Sequence, residues 1–398
     1  MSIGVTTLQL LNPNQFDIAN ARSGTAISTY DRPLTVEVWY PAALAPEKTD
    51  ADQYRALTRD GKTEVTLYGK AVRDAPADAR QGPYPLVIIS HGYPGNRYLL
   101  SHLGENLASK GYVTVAIDHT DSTYDTQRAF ASTLLNRPLD QLFVLNEMAR
   151  LNTADPAGTL TGMVNADVTA LIGYSMGGYG ALNTIGAGFT AASVAALEGV
   201  PNQALAVRQA GNPVYEASID PRIKAAMVFA PWGWNRGFWD AAGLAGIKTP
   251  VFFVAGSVDD IAGYSPGVRN LFDGSVNAPH FLLTFENANH NAGAPIPAPK
   301  ETWAATPELK FIAAEHYADP VWDTTRMNNI AQHFATAFLG KYLKGDTAMP
   351  AYLKLVEYAK DGKWSVDASG TAKEDHSYWK GFPKRSAAGL RFEARGVN

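Results

Sequence analysis

The serine at position 175 has the neighbours that an activated nucleophile requires. Residues 173–177 read Gly-Tyr-Ser-Met-Gly, a G-x-S-x-G motif. The motif follows an apolar run that predicts a strand, 168–172, and opens a helical pattern over 178–187. A sharp turn from strand to helix lifts the hydroxyl above the sheet and requires small residues two positions before and after it. Ser175 is therefore the candidate nucleophile for attack on an acyl carbon, and a glycine-rich turn without chemistry is the alternative interpretation.

A serine hydroxyl needs a general base, and a histidine base needs a carboxylate that holds its tautomer. With this motif the three groups follow one another along the chain as serine, acid and histidine. His290 comes after the last predicted strand, 281–285, so it is expected at the same sheet edge as Ser175. Asp259 follows the preceding predicted strand and is the preferred acid. Its neighbour Asp260 is the alternative, expected to be exposed or to cap the next helix.

The positions of the other histidines after the motif argue less strongly for a role as the general base. His280 begins the strand that leads to His290 and is expected at the opposite edge of the sheet. His333 lies in a predicted helix beside phenylalanines, which favours a packing or surface role. For His316 and His376 the pattern gives no position relative to the serine.

A serine that attacks an acyl carbon also needs backbone amides that stabilise the oxyanion. The predicted strand 86–90 is followed by His-Gly. In folds that carry the G-x-S-x-G turn, the loop after such a strand supplies one amide, and the residue after the nucleophile supplies the other. The candidates are the N–H groups of Tyr93 and Met176. His91 precedes the glycine turn, so we expect it to brace the loop by hydrogen bonding rather than to act as the base.

Apolar runs and helical patterns alternate along the chain, which predicts an α/β fold with a mostly parallel, doubly wound sheet. The predicted strands are 34–40, 86–90, 113–118, 168–172, 225–229, 251–255 and 281–285. The predicted helices are 98–110, 139–151, 178–187 and 323–343. The first strand alternates polar and apolar residues, which indicates an antiparallel edge hairpin.

Four segments lie outside this pattern and are interpreted as additions to a single domain, 1–398. Residues 42–85 are polar and contain an Asp-Gly hairpin signal at positions 60–61. Residues 184–221 and 293–320 are expected to form a cap or lid, and 345–398 a C-terminal extension. None has enough apolar periodicity for a core of its own.

Composition excludes several classes of protein. The chain has 398 residues, 34 basic and 38 acidic side chains, a net charge of −4 and no cysteine. This balance gives no case for nucleic-acid binding, and the lack of cysteine excludes disulfides, thiolate zinc sites and a cysteine nucleophile. No H-E-x-x-H motif, histidine pair at ligand spacing or phosphate-binding glycine-lysine loop occurs, so neither a metal nor another cofactor is expected.

The location of the protein is inferred from the same composition. No apolar run approaches the ~20 residues of a membrane helix, so membrane insertion is not expected. The first residues do not have the pattern of a signal peptide, which predicts a cytoplasmic protein unless a leader has been removed. Homodimer formation is left open.

Several stretches between residues 86 and 291 resemble the α/β-hydrolase superfamily. Residues 85–92, 107–113 and 118–122 are similar to platelet-activating-factor acetylhydrolases and relatives of dienelactone hydrolase. The stretches that resemble bacterial cutinases and polyester hydrolases are 92–93, 175–178, 230–232, 259–262 and 289–290. This resemblance implies a triad of Ser175, Asp259 and His290, and an oxyanion hole of Tyr93 and Met176.

It also implies that Tyr93, Trp232 and Ile261 line the acyl pocket. The expected function is hydrolysis of small to medium, apolar or aromatic carboxylic esters through an acyl-enzyme. A polyester hydrolase, a phospholipid acetylhydrolase and a non-catalytic binding protein on the same fold are the alternatives. The sequence departs from each family: acetylhydrolases carry their acid where this chain has Ala230 and Pro231, dienelactone hydrolases carry Cys in place of Ser175, and polyester hydrolases are shorter.

Overall fold

The computed structural model describes residues 1–22, 25–44, 53–128, 130–196 and 200–396. Its strands are β1 Ser2–Phe16, β2 Thr29–Ala42, β3 Gln53–Leu57, β4 Glu64–Tyr68, β5 Val72–Arg73, β6 Tyr84–Ser90, β7 Val113–Asp118, β8 Val164–Tyr174, β9 Ile223–Phe229, β10 Val251–Gly256, β11 His280–Phe285 and β12 Leu390–Arg395. Its α-helices are α1 Ser101–Ala108, α2 Phe130–Ala154, α3 Met176–Thr184, α4 Ala191–Ala196, α5 Pro213–Ala217, α6 Ala241–Leu244, α7 Val268–Gly274 and α8 Thr324–Lys344.

One large sheet organises the molecule. Ten strands follow the order β12-β11-β10-β9-β8-β6-β7-β2-β1-β5, while β3 and β4 form a separate hairpin. The six strands from β11 to β7 are mutually parallel, and β12 and β2 pair antiparallel on either side of them. Parallel strands place their C-terminal ends at one edge, so the loops after β6, β8, β10 and β11 meet there.

Both faces of the sheet are covered. Leu86 and Ile88 of β6 belong to the core on the side of α2 and α3, while Val87 and Ile89 belong to the core on the side of α1 and α8. Successive side chains of a strand point to opposite faces, so a strand buried on both sides has few polar positions. This explains why the central strands read as continuous apolar runs.

All seven predicted strands are present, and the differences lie at the margins of the chain. The first predicted strand, β2, is not at an edge, because β1 pairs with it along nearly its whole length and β5 lies beyond β1. β3 and β4 form the hairpin that the signal at 60–61 predicted. Helix α2 begins well before the predicted position 139 and continues through Pro138.

The C-terminal extension is more than an addition to the surface. Its last strand, β12, pairs with β11 in register from His280–Arg395 to Phe285–Leu390. Phe392 is buried and packs on Phe334 of α8 with ring centroids 5.4 Å apart. The pattern Leu-Arg-Phe-Glu-Ala-Arg alternates as an edge strand does, but it is too short to stand out from a polar tail.

Candidate active site

The backbone at Ser175 has the strained geometry of a turn between strand and helix. Ser175 lies between the end of β8 and the start of α3 with φ 52° and ψ −110°. A Cβ atom on Gly173 would overlap the carbonyl of Gly177, and one on Gly177 would overlap the carbonyl of Ser90. Because this approach leaves no room for side chains, the glycines on both sides of the serine are required by the turn.

Three side chains from three loops form a continuous hydrogen-bond chain. His290 Nε2 lies 2.9 Å from Ser175 Oγ, and His290 Nδ1 lies 3.0 Å from both carboxyl oxygens of Asp259. An ionised carboxylate can only accept hydrogen bonds, so Nδ1 carries the proton and Nε2 of the neutral ring accepts from the serine hydroxyl. The structure thus brings together Ser175, His290 and Asp259, the preferred one of the two candidate acids.

Asp259, and not Asp260, is the carboxylate in contact with the histidine. Asp259 is buried, and its Oδ1 also accepts hydrogen bonds of 2.9 Å from the amides of Ile261 and Ala262. Burial by itself raises the pKa of Asp259, but the charge and hydrogen bond of His290, with these two amides, lower it below the usual value. The side chain of Asp260 is exposed at the rim of the cavity.

The two predicted oxyanion donors are backbone amides of residues near Ser175. Met176 is the first residue of α3, and Tyr93 lies in the loop after β6. Within the described part of the chain neither N–H donates to a protein acceptor. Gly92 lies close to the serine, since a Cβ atom on it would be 3.5 Å from Ser175 Cβ. These are the positions from which the sequence predicted the oxyanion donors.

Ser175 and His290 open into a cavity of about 590 Å³. Tyr93 and Ile261, both predicted to contact substrate, lie in its wall. Trp232 is not part of that wall: its ring packs edge-on against Phe130 and Phe238, each at 5.4 Å. Trp232 contacts the site through its amide, which donates to Ser175 O at 3.1 Å.

Segment 293–320, which we call the cover segment, provides much of the remaining wall. Trp303 and Phe311 lie at the mouth of the cavity with 60% and 38% of their surfaces exposed, and His316 lies in its wall. None of the described residues of 184–221 lines the cavity. That segment packs near the end of α3, where Arg208 donates to Asn183 at 2.7 Å.

A larger cleft of about 850 Å³ lies elsewhere, between the hairpin β3–β4 and α1. None of the three hydrogen-bonded residues lines it. A large volume by itself does not indicate catalysis, so the smaller cavity around Ser175 is the candidate active site.

The other histidines lie in different surroundings. His280 is the first residue of β11, at the opposite end of the strand from His290, as predicted. His333 of α8 packs against Phe382 at 4.8 Å and Tyr352 at 5.5 Å. His316 is one of the two histidines whose place the sequence did not indicate, and burial lowers its pKa to about 3.

Sequence reasoning also missed the residues that connect the cover segment to the site. The Tyr174 hydroxyl, beside the serine, donates to Asn291 Oδ1 at 2.8 Å, and Asn291 follows His290. Asn291 Nδ2 in turn donates to the carbonyls of Glu315 and Ala318 in the cover segment. Tyr174 precedes Ser175 and Asn291 follows His290 in the sequence, and this adjacency was the signal that could have identified them.

The described residues contain no group of three or more His, Asp and Glu side chains arranged to hold a metal ion. In the same residues no helix combines the length and the apolar character needed to cross a membrane.

Comparison with solved structures identifies the fold. The chain superposes on a ferulic acid esterase from Streptomyces cinnamoneus with a TM-score of 0.58 and 19% identity, over 88% of this chain and 95% of that one. The chain has the α/β-hydrolase fold. A family model described as PET hydrolase-like matches residues 53–201 of the chain.

Curated relatives are similar over about two thirds of the chain. Cutinase est1 of Thermobifida alba is 25% identical over 276 residues, which is 68% of this chain and 73% of the cutinase. A bis(hydroxyethyl) terephthalate hydrolase of Streptomyces coelicolor is 21% identical over 257 residues, 63% of this chain and 66% of that protein. These relatives are carboxylic-ester hydrolases.

Proposed function

We propose that this protein is a serine carboxylic-ester hydrolase in which Ser175 is the nucleophile, His290 the general base and Asp259 the residue that orients it. The observation that carries the proposal is the hydrogen-bond chain from Ser175 Oγ through the imidazole to the Asp259 carboxylate, open to a cavity at the serine end. The similarity to cutinases over about two thirds of the chain supports the assignment to ester hydrolases.

The reaction follows from the direction of these hydrogen bonds. Ser175 Oγ attacks the ester carbonyl carbon while its proton passes to His290 Nε2. The Asp259 carboxylate stabilises the imidazolium, which then gives the proton to the departing alcohol as the C–O bond breaks. Water attacks the resulting acyl-enzyme by the same route, and the acid leaves with Ser175 restored.

The oxyanion of each tetrahedral intermediate forms beside the amides of Tyr93 and Met176. Removing one such donor in a serine hydrolase costs about 3–4 kcal/mol of transition-state stabilisation. Met176 lies at the start of α3, where the helix dipole adds partial positive charge.

The lining of the cavity indicates the substrate class. None of the described residues in its wall is lysine or arginine, whereas three are acidic. An anionic acyl or alcohol group would therefore have no cationic partner and would meet like charge. Tyr93, Ile261, Trp303 and Phe311 provide apolar and aromatic surface. Small to medium, uncharged esters with an apolar or aromatic group fit this wall.

Fluorophosphonate labelling tests the nucleophile. We expect wild type to be labelled at one site per chain and Ser175→Ala to remain unlabelled. A p-nitrophenyl ester series from acetate to longer and aromatic acids then gives the substrate preference, with activity lost in the same variant. Labelling or hydrolysis that persists in Ser175→Ala would contradict the assignment.

Hydrolysis of polyesters at the same site is a second candidate. The PET hydrolase-like match and the terephthalate-ester hydrolase among the relatives favour it, as does the exposed Trp303 at the cavity mouth. Release of acid from an aromatic polyester film, compared with a soluble ester at equal enzyme concentration, distinguishes the candidates. Film hydrolysis at a rate comparable with that of the soluble ester would favour the polymer.

A further inference from the structure

The Tyr93 amide belongs to the peptide group that joins Gly92 to Tyr93, and the carbonyl of that group is held inside the protein. Gly92 O lies 2.7 Å from His91 Nδ1 and accepts from Arg137 Nη2 at 3.3 Å. In a planar trans peptide the C=O and N–H bonds point in opposite directions. Fixing the carbonyl inward therefore turns the Tyr93 N–H outward, and Gly92 lies against Ser175.

The hydrogen bonds of His91 define its tautomer. Its Nε2 accepts from the backbone amide of His119 at 3.2 Å, so the proton is on Nδ1, which donates to Gly92 O. Burial, together with the nearby charge of Arg137, lowers the pKa of His91 well below its usual value. His91 is thus a neutral donor that braces the loop.

Arg137 of α2 brings a positive charge to the same peptide groups. Its Nη1 donates to His91 O, and its Nη2 donates to Ser122 Oγ at 2.8 Å in addition to Gly92 O. The side chain is 1% exposed, and within the described residues it forms no ion pair. A planar guanidinium can bind two successive carbonyls at once, which fixes the orientation of both peptide groups.

A second serine–histidine–aspartate array lies behind the loop. Ser90 Oγ is 2.7 Å from His119 Nε2, and His119 Nδ1 is 2.9 Å from Asp140 Oδ2. All three are at most 1% exposed and lie outside the cavity wall, so no substrate reaches this serine. The array instead fixes His119, whose amide holds His91, and Arg32 balances the charge of Asp140.

We propose that Arg137 is a positioning residue for the oxyanion site, which holds the Gly92–Tyr93 peptide with its N–H toward Ser175. The inference rests on the proposed function, because the oxyanion exists only if Ser175 attacks a carbonyl. Positive charge behind the carbonyl also polarises the peptide group and strengthens the N–H as a donor to an anion.

The test compares Arg137→Lys, Arg137→Met and Ser122→Ala with wild type. A lysine reaches one carbonyl at a time, so we expect kcat to fall about 10-fold in Arg137→Lys and about 100-fold in Arg137→Met, at or below the effect of removing an oxyanion donor. Ser122→Ala removes one hydrogen bond from Nη2 and is expected to lower kcat about threefold. KM should stay within about twofold, since the substrate carbonyl carries little charge before attack.

A trifluoromethyl ketone gives the readout that a structural role would not change. It forms a tetrahedral adduct with the serine, so its inhibition constant should rise by the same factor by which kcat falls. Rates are expressed per site labelled by fluorophosphonate, so unfolded enzyme is not counted. Arg208→Met is the matched control, because Arg208 is also buried and contacts Asn183 away from the loop.

The outcomes separate the two proposals. Wild type that neither labels nor hydrolyses esters would overturn the proposed function. Active wild type, with kcat and ketone affinity unchanged in the folded Arg137 variants, would overturn the role of Arg137 alone. If both Arg137 variants fail to fold, Ser122→Ala decides. Unchanged kcat and ketone affinity in that variant would overturn the inference. A fall in kcat of about threefold, with an equal rise in the inhibition constant of the ketone, would support it.

Discussion

At the scale of single residues, the site depends on how Asp259 is held. Its carboxylate accepts from His290 and from two amides of its own loop, so it stays ionised although it is buried. Asp260 follows it directly in the sequence, yet its side chain is exposed at the rim of the cavity. Two adjacent aspartates therefore have different surroundings, and this difference can be tested.

Asp259→Asn should lower kcat by about 10³- to 10⁴-fold, because an amide can stabilise the wrong tautomer of His290 and carries no charge to balance the imidazolium. Asp260→Asn is the matched control and should retain kcat within about twofold. Initial rates with one p-nitrophenyl ester, normalised to fluorophosphonate-labelled sites, measure both. Full activity of the Asp259 variant, or its loss in the Asp260 variant, would reverse the assignment of the acid.

At the scale of elements, the cover segment is fastened at several points. The amide of Asn289 donates to Asp319 at 2.7 Å, next to His290. On the other side, Lys62 of the β3–β4 hairpin loop pairs with Glu308 at 2.6 Å, and the Arg59 guanidinium lies 5.6 Å from the Phe311 ring. The cover segment thus contacts the loop that carries His290 and the loop of the β3–β4 hairpin. Its Trp303 and Phe311 line the cavity.

Trp303→Ala and Phe311→Ala should each reduce the preference for aromatic acyl groups. Loss of partly exposed aromatic contact is worth about 1 kcal/mol, so kcat/KM for a benzoate ester should fall about fivefold relative to an acetate ester of the same alcohol. Val321→Ala is the control, since Val321 is exposed near the segment but does not line the cavity. An unchanged benzoate-to-acetate ratio in both variants would remove the cover segment from substrate selection.

At the scale of the whole molecule, several histidines are partly or fully buried, and burial favours their neutral form. Burial lowers the pKa of His102 and of His333 to about 4. An unfolded histidine titrates at about 6.5, so between these values the unfolded chain binds more protons than the folded one. The stability contributed by such a histidine is fully present above pH 6.5 and is lost as the pH falls toward 4.

His333→Gln removes one of these groups, which lies in α8 far along the chain from the motif residues. We expect the free energy of unfolding to decline less steeply from pH 7 to pH 4 in the variant than in wild type. Urea unfolding at several pH values measures the free energy of unfolding of both proteins. Its dependence on pH should be the same in the variant and in wild type between pH 7 and pH 9, where histidines are already neutral. Identical slopes below pH 7 would show that His333 does not contribute to acid sensitivity.

The sequence alone determined what local rules govern. The G-x-S-x-G turn, the apolar strands buried on both faces and the order of serine, acid and histidine follow from sterics and periodicity over a few residues. They sufficed to select Ser175 and His290, to prefer Asp259 over Asp260, and to predict the parallel sheet that carries these residues, which the structure brings within hydrogen-bond distance.

Only the tertiary structure decided what depends on contacts between distant segments. Arg137 is 46 residues from His91 along the chain, and Asn291 is 27 residues from Ala318, so no local pattern links them. Strand β12 begins more than a hundred residues after the start of β11, with which it pairs. Trp232 is absent from the cavity wall, and its ring packs against Phe130 and Phe238. Such contacts arise from how separate elements pack, which periodicity along one segment does not encode.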